Sequence, residues 1–138
     1  VERYVQINVP GVELPIIGYI DVLTEELVPC DIKTANRAWT PDKLTQETQS
    51  LYYLAGLNQQ GYQISGLFRH YVFIKGAKEP KVQVLEETHK AGELFWLFDH
   101  IQHVWAGISG GVFPMQPTSW KCSPNWCEFY ALCRGKYL

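Results

Sequence analysis

The chain changes its hydrophobic period along its length, and that change narrows the folds open to it more than any other feature. Near the start, Tyr4, Gln6 and Asn8 alternate with Val5, Ile7 and Val9, the period of two that sends successive side chains to opposite faces of a strand. Towards the other end, Leu94, Leu97, Phe98, Ile101, Val104, Trp105 and Ile108 recur three and four residues apart, the apolar stripe of an amphipathic helix. We read that stripe as core. Strand-forming and helix-forming segments therefore share one chain, and their order decides its class.

Read in that order, the first third predicts strands over 3–9, 14–23 and 26–33, divided by Pro10-Gly11 and by Thr24-Glu25. Both connections are short enough for an antiparallel meander. Thr40-Pro41-Asp42 is a helix-start signal, with Thr40 able to cap free N–H groups and Pro41 supplying a preset φ at the first position. A helix over 41–60 follows and ends at Gly61. Strands over 67–75 and 81–85, joined through Gly76 to Pro80, precede a long helix over 87–108; Gly110-Gly111, Pro114 and Pro117 then end regular structure. The expected class is α/β, a mixed sheet flanked by helices. The face bearing Val5, Ile7 and Val9 needs a cover, and we expect an upstream helix, missing from this chain, to supply it.

Length and composition set the outer limits. At 138 residues and 46% hydrophobic, the chain suits a single domain with one core, residues 1–138, of which 112–138 forms a cysteine-containing C-terminal segment. The apolar run from Leu14 to Leu23 is interrupted by Pro15, Gly18 and Asp21 and is far too short to span a bilayer. No basic stretch followed by an apolar one suggests export, so the expectation is a soluble, cytoplasmic protein without a membrane partner. A net charge of −2 argues against a broad basic surface, so any contact with nucleic acid must be local.

Asp31-Ile32-Lys33 is the most informative triplet. Alternation puts Asp31 and Lys33 on one face of a strand and sends Cys30 and Ile32 to the other, where we expect Cys30 to enter the core beside Ile32. Asp21 closes the preceding strand, and a short meander brings its carboxylate to Asp31. Two converging carboxylates repel unless a cation lies between them, and a few hard oxygen ligands favour Mg²⁺, completed by water and substrate phosphate. Such an ion would polarise a phosphoryl oxygen and activate a water, while Lys33 would orient that water or offset developing charge. On the following helix, Gln46, Gln49 and Tyr53 fall within about 60° of one another, opposite Leu44, Leu51 and Ala55. That helix thus has a polar functional face and an apolar packing face. Arg37 and Lys43 are candidates for phosphate contacts. Of the histidines, His70 falls in a strand and His89, His100 and His103 on the long helix, where solvated or hydrogen-bonded roles are the ordinary ones.

The ordered set Gly18-Tyr19-Ile20-Asp21, Asp31-Ile32-Lys33-Thr34 and Gln49-Ser50-Leu51-Tyr52-Tyr53 resembles the Gly-x-x-Asp, Asp-x-Lys-Thr and Gln-x-x-x-Tyr motifs of the RecB-type branch of the PD-(D/E)xK nuclease superfamily. The resemblance implies a restriction-endonuclease-like fold and a Mg²⁺- or Mn²⁺-dependent deoxyribonuclease, an exonuclease of phage or bacterial origin acting on DNA beside recombination or helicase partners. It implies Asp21, Asp31 and the Ile32 carbonyl as metal ligands, Lys33 as the catalytic lysine, and Gln49 with Tyr53 as the auxiliary pair, with Gln46 the alternative to Gln49. A rival reading is a non-catalytic nucleic-acid-binding or assembly module of the same fold.

Cys122, Cys127 and Cys133 resemble the C-terminal cysteine group of the iron–sulfur members of that branch, which implies a 4Fe–4S cluster or Zn²⁺ stapling the tail. By the same resemblance the fourth cysteine comes from the upstream segment. The alternative is three reduced thiols packed among Trp120, Trp126, Phe129 and Tyr130.

Overall fold

The computed structural model describes residues 2–76, 79–116 and 118–137, so part of the Gly76–Pro80 link and the break at Pro117 lie outside the described residues. β1 (Arg3–Ile7) and β2 (Ile16–Ile20) form an antiparallel pair with Ile7 opposite Ile16 and Arg3 opposite Ile20. The chain bends at Asp21 and continues as β3 (Val22–Leu23), which pairs antiparallel with β4 (Pro29–Ala35). β5 (Leu67–Ile74) lies parallel to β4, and β6 (Lys81–Thr88) lies antiparallel to β5. The result is a two-stranded sheet and a mixed four-stranded sheet of order β3-β4-β5-β6. The expected meander of three strands is therefore divided at Asp21, which leaves that residue at the junction of the two sheets.

Parallel neighbours need a crossover, and the chain between β4 and β5 supplies it in two pieces, α1 (Pro41–Leu44) and α2 (Gln49–Gln59). The sequence predicts one continuous helix here. It breaks because the Thr45 hydroxyl donates to the Asp42 carbonyl at 2.8 Å, a local bond that competes with helical backbone pairing. Gln46 and Glu47 follow with donations to carbonyls only three residues back. The predicted Thr40 cap is also absent, since its side chain makes no capping bond. α2 restarts with Gln49 as its first residue.

α2 covers β1. Val5 packs with Ile20, Tyr53, Leu54, Leu57 and Phe68 in one buried cluster, and Ile7 and Val9 pack with Leu51, Ala55, Leu97 and Ile101 in a second. The apolar face of the first strand is thus covered by α2 and the long helix of this same chain. The approach is close: a Cβ on Gly56 would stand 2.8 Å from the Val5 Cβ, so only glycine allows α2 to lie at this height over β1.

The long helix α3 (Ala91–Ser109) begins later than predicted because β6 holds its ladder with β5 through Thr88. Glu93 Oε1 then accepts the Lys90 N–H at 2.8 Å, the reach-back of a capping box, which starts the helix at Ala91.

The chain divides into two compact units, Val1–His103 and Val104–Leu138. The first holds both sheets, α1, α2 and the beginning of α3. The second contains the end of α3, where Gly111 adopts φ +68° and Val112 N–H reaches the Gly107 carbonyl at 2.8 Å, a left-handed helix stop. Turns follow, with Trp120 and Trp126 edge to face at 5.3 Å and a short 3-10 turn at Arg134–Tyr137. Only part of the predicted apolar stripe is core: Leu97 and Ile101 are buried, whereas Val104 and Ile108 are 49% and 48% exposed. Leu97 and Ile101 have Ile7, Val9, Leu51 and Ala55 to pack on.

Candidate active site

Register brings the predicted residues of the strands together. Val22 pairs with Cys30, so Asp21, one residue earlier, is carried towards Asp31. Its Oδ2 accepts the Ile32 backbone N–H at 2.7 Å, which sets the carboxylate on the peptide that follows Asp31. Asp31 itself is 3% exposed, and its Oδ1 pairs with Lys33 Nζ at 3.0 Å. Lys33 also donates to Gln49 Oε1 at 2.6 Å, and Gln49 Nε2 donates to the Tyr53 hydroxyl at 2.7 Å. Asp21, Asp31, Ile32, Lys33, Gln49 and Tyr53 are therefore linked through short contacts between β4, α2 and the bend ahead of β3.

Several expectations need correction. Gln46 lies in the break between α1 and α2, outside either helix, and it is Gln49 that reaches Lys33. The polar functional face predicted for Gln49 and Tyr53 is buried at Tyr53, whose ring packs in the core while its hydroxyl accepts from Gln49. Cys30 is fully buried, but Ile32 on the same strand face is 47% exposed, so the two do not share the core. By register that face also carries Phe73, Val82 and Val84, all of them substantially exposed. His89 sits in the link between β6 and α3 instead of on the helix. His100 stacks on Trp96 with ring centres 5.4 Å apart, and His103 Nδ1 lies 2.8 Å from the Asp99 carbonyl, ordinary helix-surface roles. Lys43 lies 4.3 Å above the Trp39 ring, and Arg37 is exposed.

A second set of polar residues stands behind Asp31. His70 is its direct cross-strand partner and is fully buried. Its Nδ1 lies 3.7 Å from Asp31 Oδ2, and its Nε2 lies 2.8 Å from Glu87 Oε1. Burial pulls the His70 imidazole down, but the two flanking carboxylates outweigh it and push the group up to about 9. Burial pushes the Asp31 carboxyl up, and His70 and Lys33 more than reverse this, holding it below its ordinary value. Glu87 is likewise lowered, burial being outweighed by His70, Ser50 and His89.

None of His70, Glu87, Ser50 and His89 was singled out by motif reasoning. The alternation Phe68, His70, Val72 on β5 does point His70 inward, and that signal was available. Glu87 was hidden because the predicted helix began there.

Among the described residues no three His, Cys, Asp or Glu side chains are grouped to hold a metal ion, Cys122, Cys127 and Cys133 included. Asp21 and Asp31, brought together by the β3–β4 pairing, offer hard carboxylate oxygens instead, and Asp31 Oδ2 is a buried oxygen without a hydrogen-bond partner. Hard oxygens of that number suit an ion that retains several waters. No helix among the described residues is long and apolar enough to cross a membrane.

A family model of the PD-(D/E)XK nuclease superfamily matches residues 1–134. The chain belongs to that superfamily. Among solved structures, this superfamily member is similar to a presumed exonuclease from Eubacterium rectale, with a TM-score of 0.55 and 11% identity. The match covers 96% of this chain and 51% of the other, so the chain spans about half the length of that structure. At this identity the likeness speaks for the fold, a restriction-endonuclease-like mixed α/β architecture. No curated protein matches the chain.

Proposed function

We propose that the chain carries the catalytic core of a divalent-metal-dependent deoxyribonuclease, of exonuclease type, that hydrolyses DNA phosphodiester bonds. The observation that carries this reading is the unbroken run of contacts from Asp21 through the Ile32 peptide and from Asp31 through Lys33 to Gln49 and Tyr53. Membership in a nuclease superfamily supports the chemistry, and the name of the structural neighbour supports the exonuclease type.

In this reading Asp21, Asp31 and the Ile32 carbonyl hold Mg²⁺ or Mn²⁺, which when bound neutralises phosphate charge and lowers the pKa of a water. Lys33 is fixed from two sides, so its ammonium meets the substrate already oriented. Gln49 sets the height of Lys33, and Tyr53 in turn fixes the Gln49 amide. The net charge of −2 argues against a broad basic surface, so in this reading phosphate is met by local contacts. A cluster or zinc at Cys122, Cys127 and Cys133 has only their spacing in its favour and enters no step; visible-range absorption and metal content of anaerobically purified protein test it.

The assay is cleavage of linear DNA with Mg²⁺ or Mn²⁺. Asp31→Ala and Lys33→Ala are each expected to lower the rate by about 10²–10³-fold with an unchanged circular dichroism spectrum. A parent chain that neither binds Mn²⁺ nor cleaves, or variants that cleave as the parent does, would reject the assignment.

A further inference from the structure

We propose that His70, clamped by Glu87, is a positioning residue that fixes the Asp31 carboxylate from behind for metal binding. The inference rests on the reading of Asp31 as a metal ligand. His70 occupies the β5 position directly across from Asp31 and is fully buried. The Phe68 and Trp39 rings, centred 4.9 Å and 5.6 Å away, close around it. Its Nε2 is committed to Glu87 at 2.8 Å. Its other nitrogen faces Asp31 Oδ2, and these are buried polar atoms with no hydrogen-bond partner. A bare Nδ1 lone pair opposite a carboxylate oxygen would repel it, so the arrangement calls for Nδ1–H. At 3.7 Å the contact is longer than a hydrogen bond, but the attraction and the steric backing remain.

Glu87 is anchored in turn. Its Oε2 lies 3.4 Å from His89 Nε2, which is 2.9 Å from the buried Ser50 hydroxyl, and His89 Nδ1 is 2.8 Å from Glu93 Oε2. Ser50 directly follows Gln49, the residue that holds Lys33. One network therefore reaches Asp31 through β5 and Lys33 through the start of α2. His70, the member of the network that meets Asp31, is fully buried, which suits a role exercised through Asp31. Partners that orient a ligating carboxylate are worth about 10–100-fold in metal affinity or activity.

The two nitrogens can be tested separately. The amide nitrogen of His70→Asn falls near Nδ1 and keeps a donor towards Asp31, whereas that of His70→Gln falls near Nε2 and keeps only the partner of Glu87. Mn²⁺ is titrated calorimetrically into the chain and its variants, with metal-free thermal melts in parallel. The expected result is that His70→Asn retains most of the Mn²⁺ affinity while His70→Gln loses about 10–100-fold, whichever variant melts higher. Affinity that is unchanged in both, or that follows melting temperature with His70→Gln the better binder, would overturn the proposal. If neither variant folds, Glu87→Gln keeps the shape and the acceptor but removes the clamping charge. It is expected to weaken Mn²⁺ several-fold, and parental affinity in a folded Glu87→Gln protein would count against the clamp. Asp31→Ala separates the two layers of argument. If it binds Mn²⁺ as the parent does, the reading of Asp31 fails and the proposal with it. If it loses binding while both His70 variants keep parental affinity, only the positioning role fails.

Discussion

Lys33 shows at the scale of one residue how neighbours turn a common side chain into a directed one. Its long stem could sample many rotamers on an open strand face, but Asp31 and Gln49 grip the amine from two sides. Glu93 is directed in a similar way. It accepts the Lys90 backbone N–H at 2.8 Å through Oε1 and pairs with His89 at 2.8 Å through Oε2. The Lys90 N–H first, and the His89 bond after it, hold its carboxyl below the ordinary value of 4.5. A carboxylate whose folded pKa is depressed adds stability above its unfolded pKa and loses it as pH falls through the folded one. Urea midpoints measured from pH 7 downward should therefore fall as the pH drops below about 4.5. In Glu93→Gln that part of the acid loss should be missing, with a lower starting stability at pH 7. An acid limb identical in the two proteins would mean that this carboxylate is not differentially held in the folded state.

Among the elements, α2 does most to assemble the site. Its first residue reaches Lys33, its second reaches His89, and its buried side roofs β1. The break after α1 makes Gln49 the first residue of its own helix. Close contact with β1 also matters, and Gly56→Ala tests it: the added methyl would meet Val5 Cβ at 2.8 Å. Overpacking of this kind costs about 1–3 kcal/mol, more than the helix propensity gained by replacing glycine, about 1 kcal/mol. The expected outcome is a lower chemical-denaturation midpoint. A more stable Gly56→Ala protein would mean that α2 can lift off β1 without loss. Strand and helix identities along this region were legible from period alone. The break before α2 and the strand it packs on were not, since they depend on a threonine hydroxyl competing with the backbone and on packing against a distant strand.

For the whole molecule, a ligand that binds only the folded state raises stability in proportion to the logarithm of its concentration. Should Asp21 and Asp31 hold Mn²⁺, stability should rise by about 2.7 kcal/mol at a hundred times the dissociation constant, and Asp31→Ala should abolish the increase. A melting temperature that ignores Mn²⁺ in the parent would remove the metal from the proposed function. The experiment needs no DNA and no turnover, so it is informative even though the chain spans about half the length of the structure it resembles.

Local order along the chain was enough to determine the α/β class, the approximate strands and helices, and the linear series of Asp21, Asp31, Lys33, Gln49 and Tyr53. Those features follow from periodicity and from short motifs, which need no knowledge of what lies opposite. Tertiary structure alone decided that β4 and β5 run parallel, and therefore that His70 stands against Asp31 with Glu87 behind it. Sequence separation hides such a pairing, because a strand's partner is chosen by the burial of whole faces and by the crossover that α2 provides. For the same reason the cover over Val5, Ile7 and Val9 turned out to come from α2 and α3 of this chain. An apolar face announces that it will be buried, but not by what.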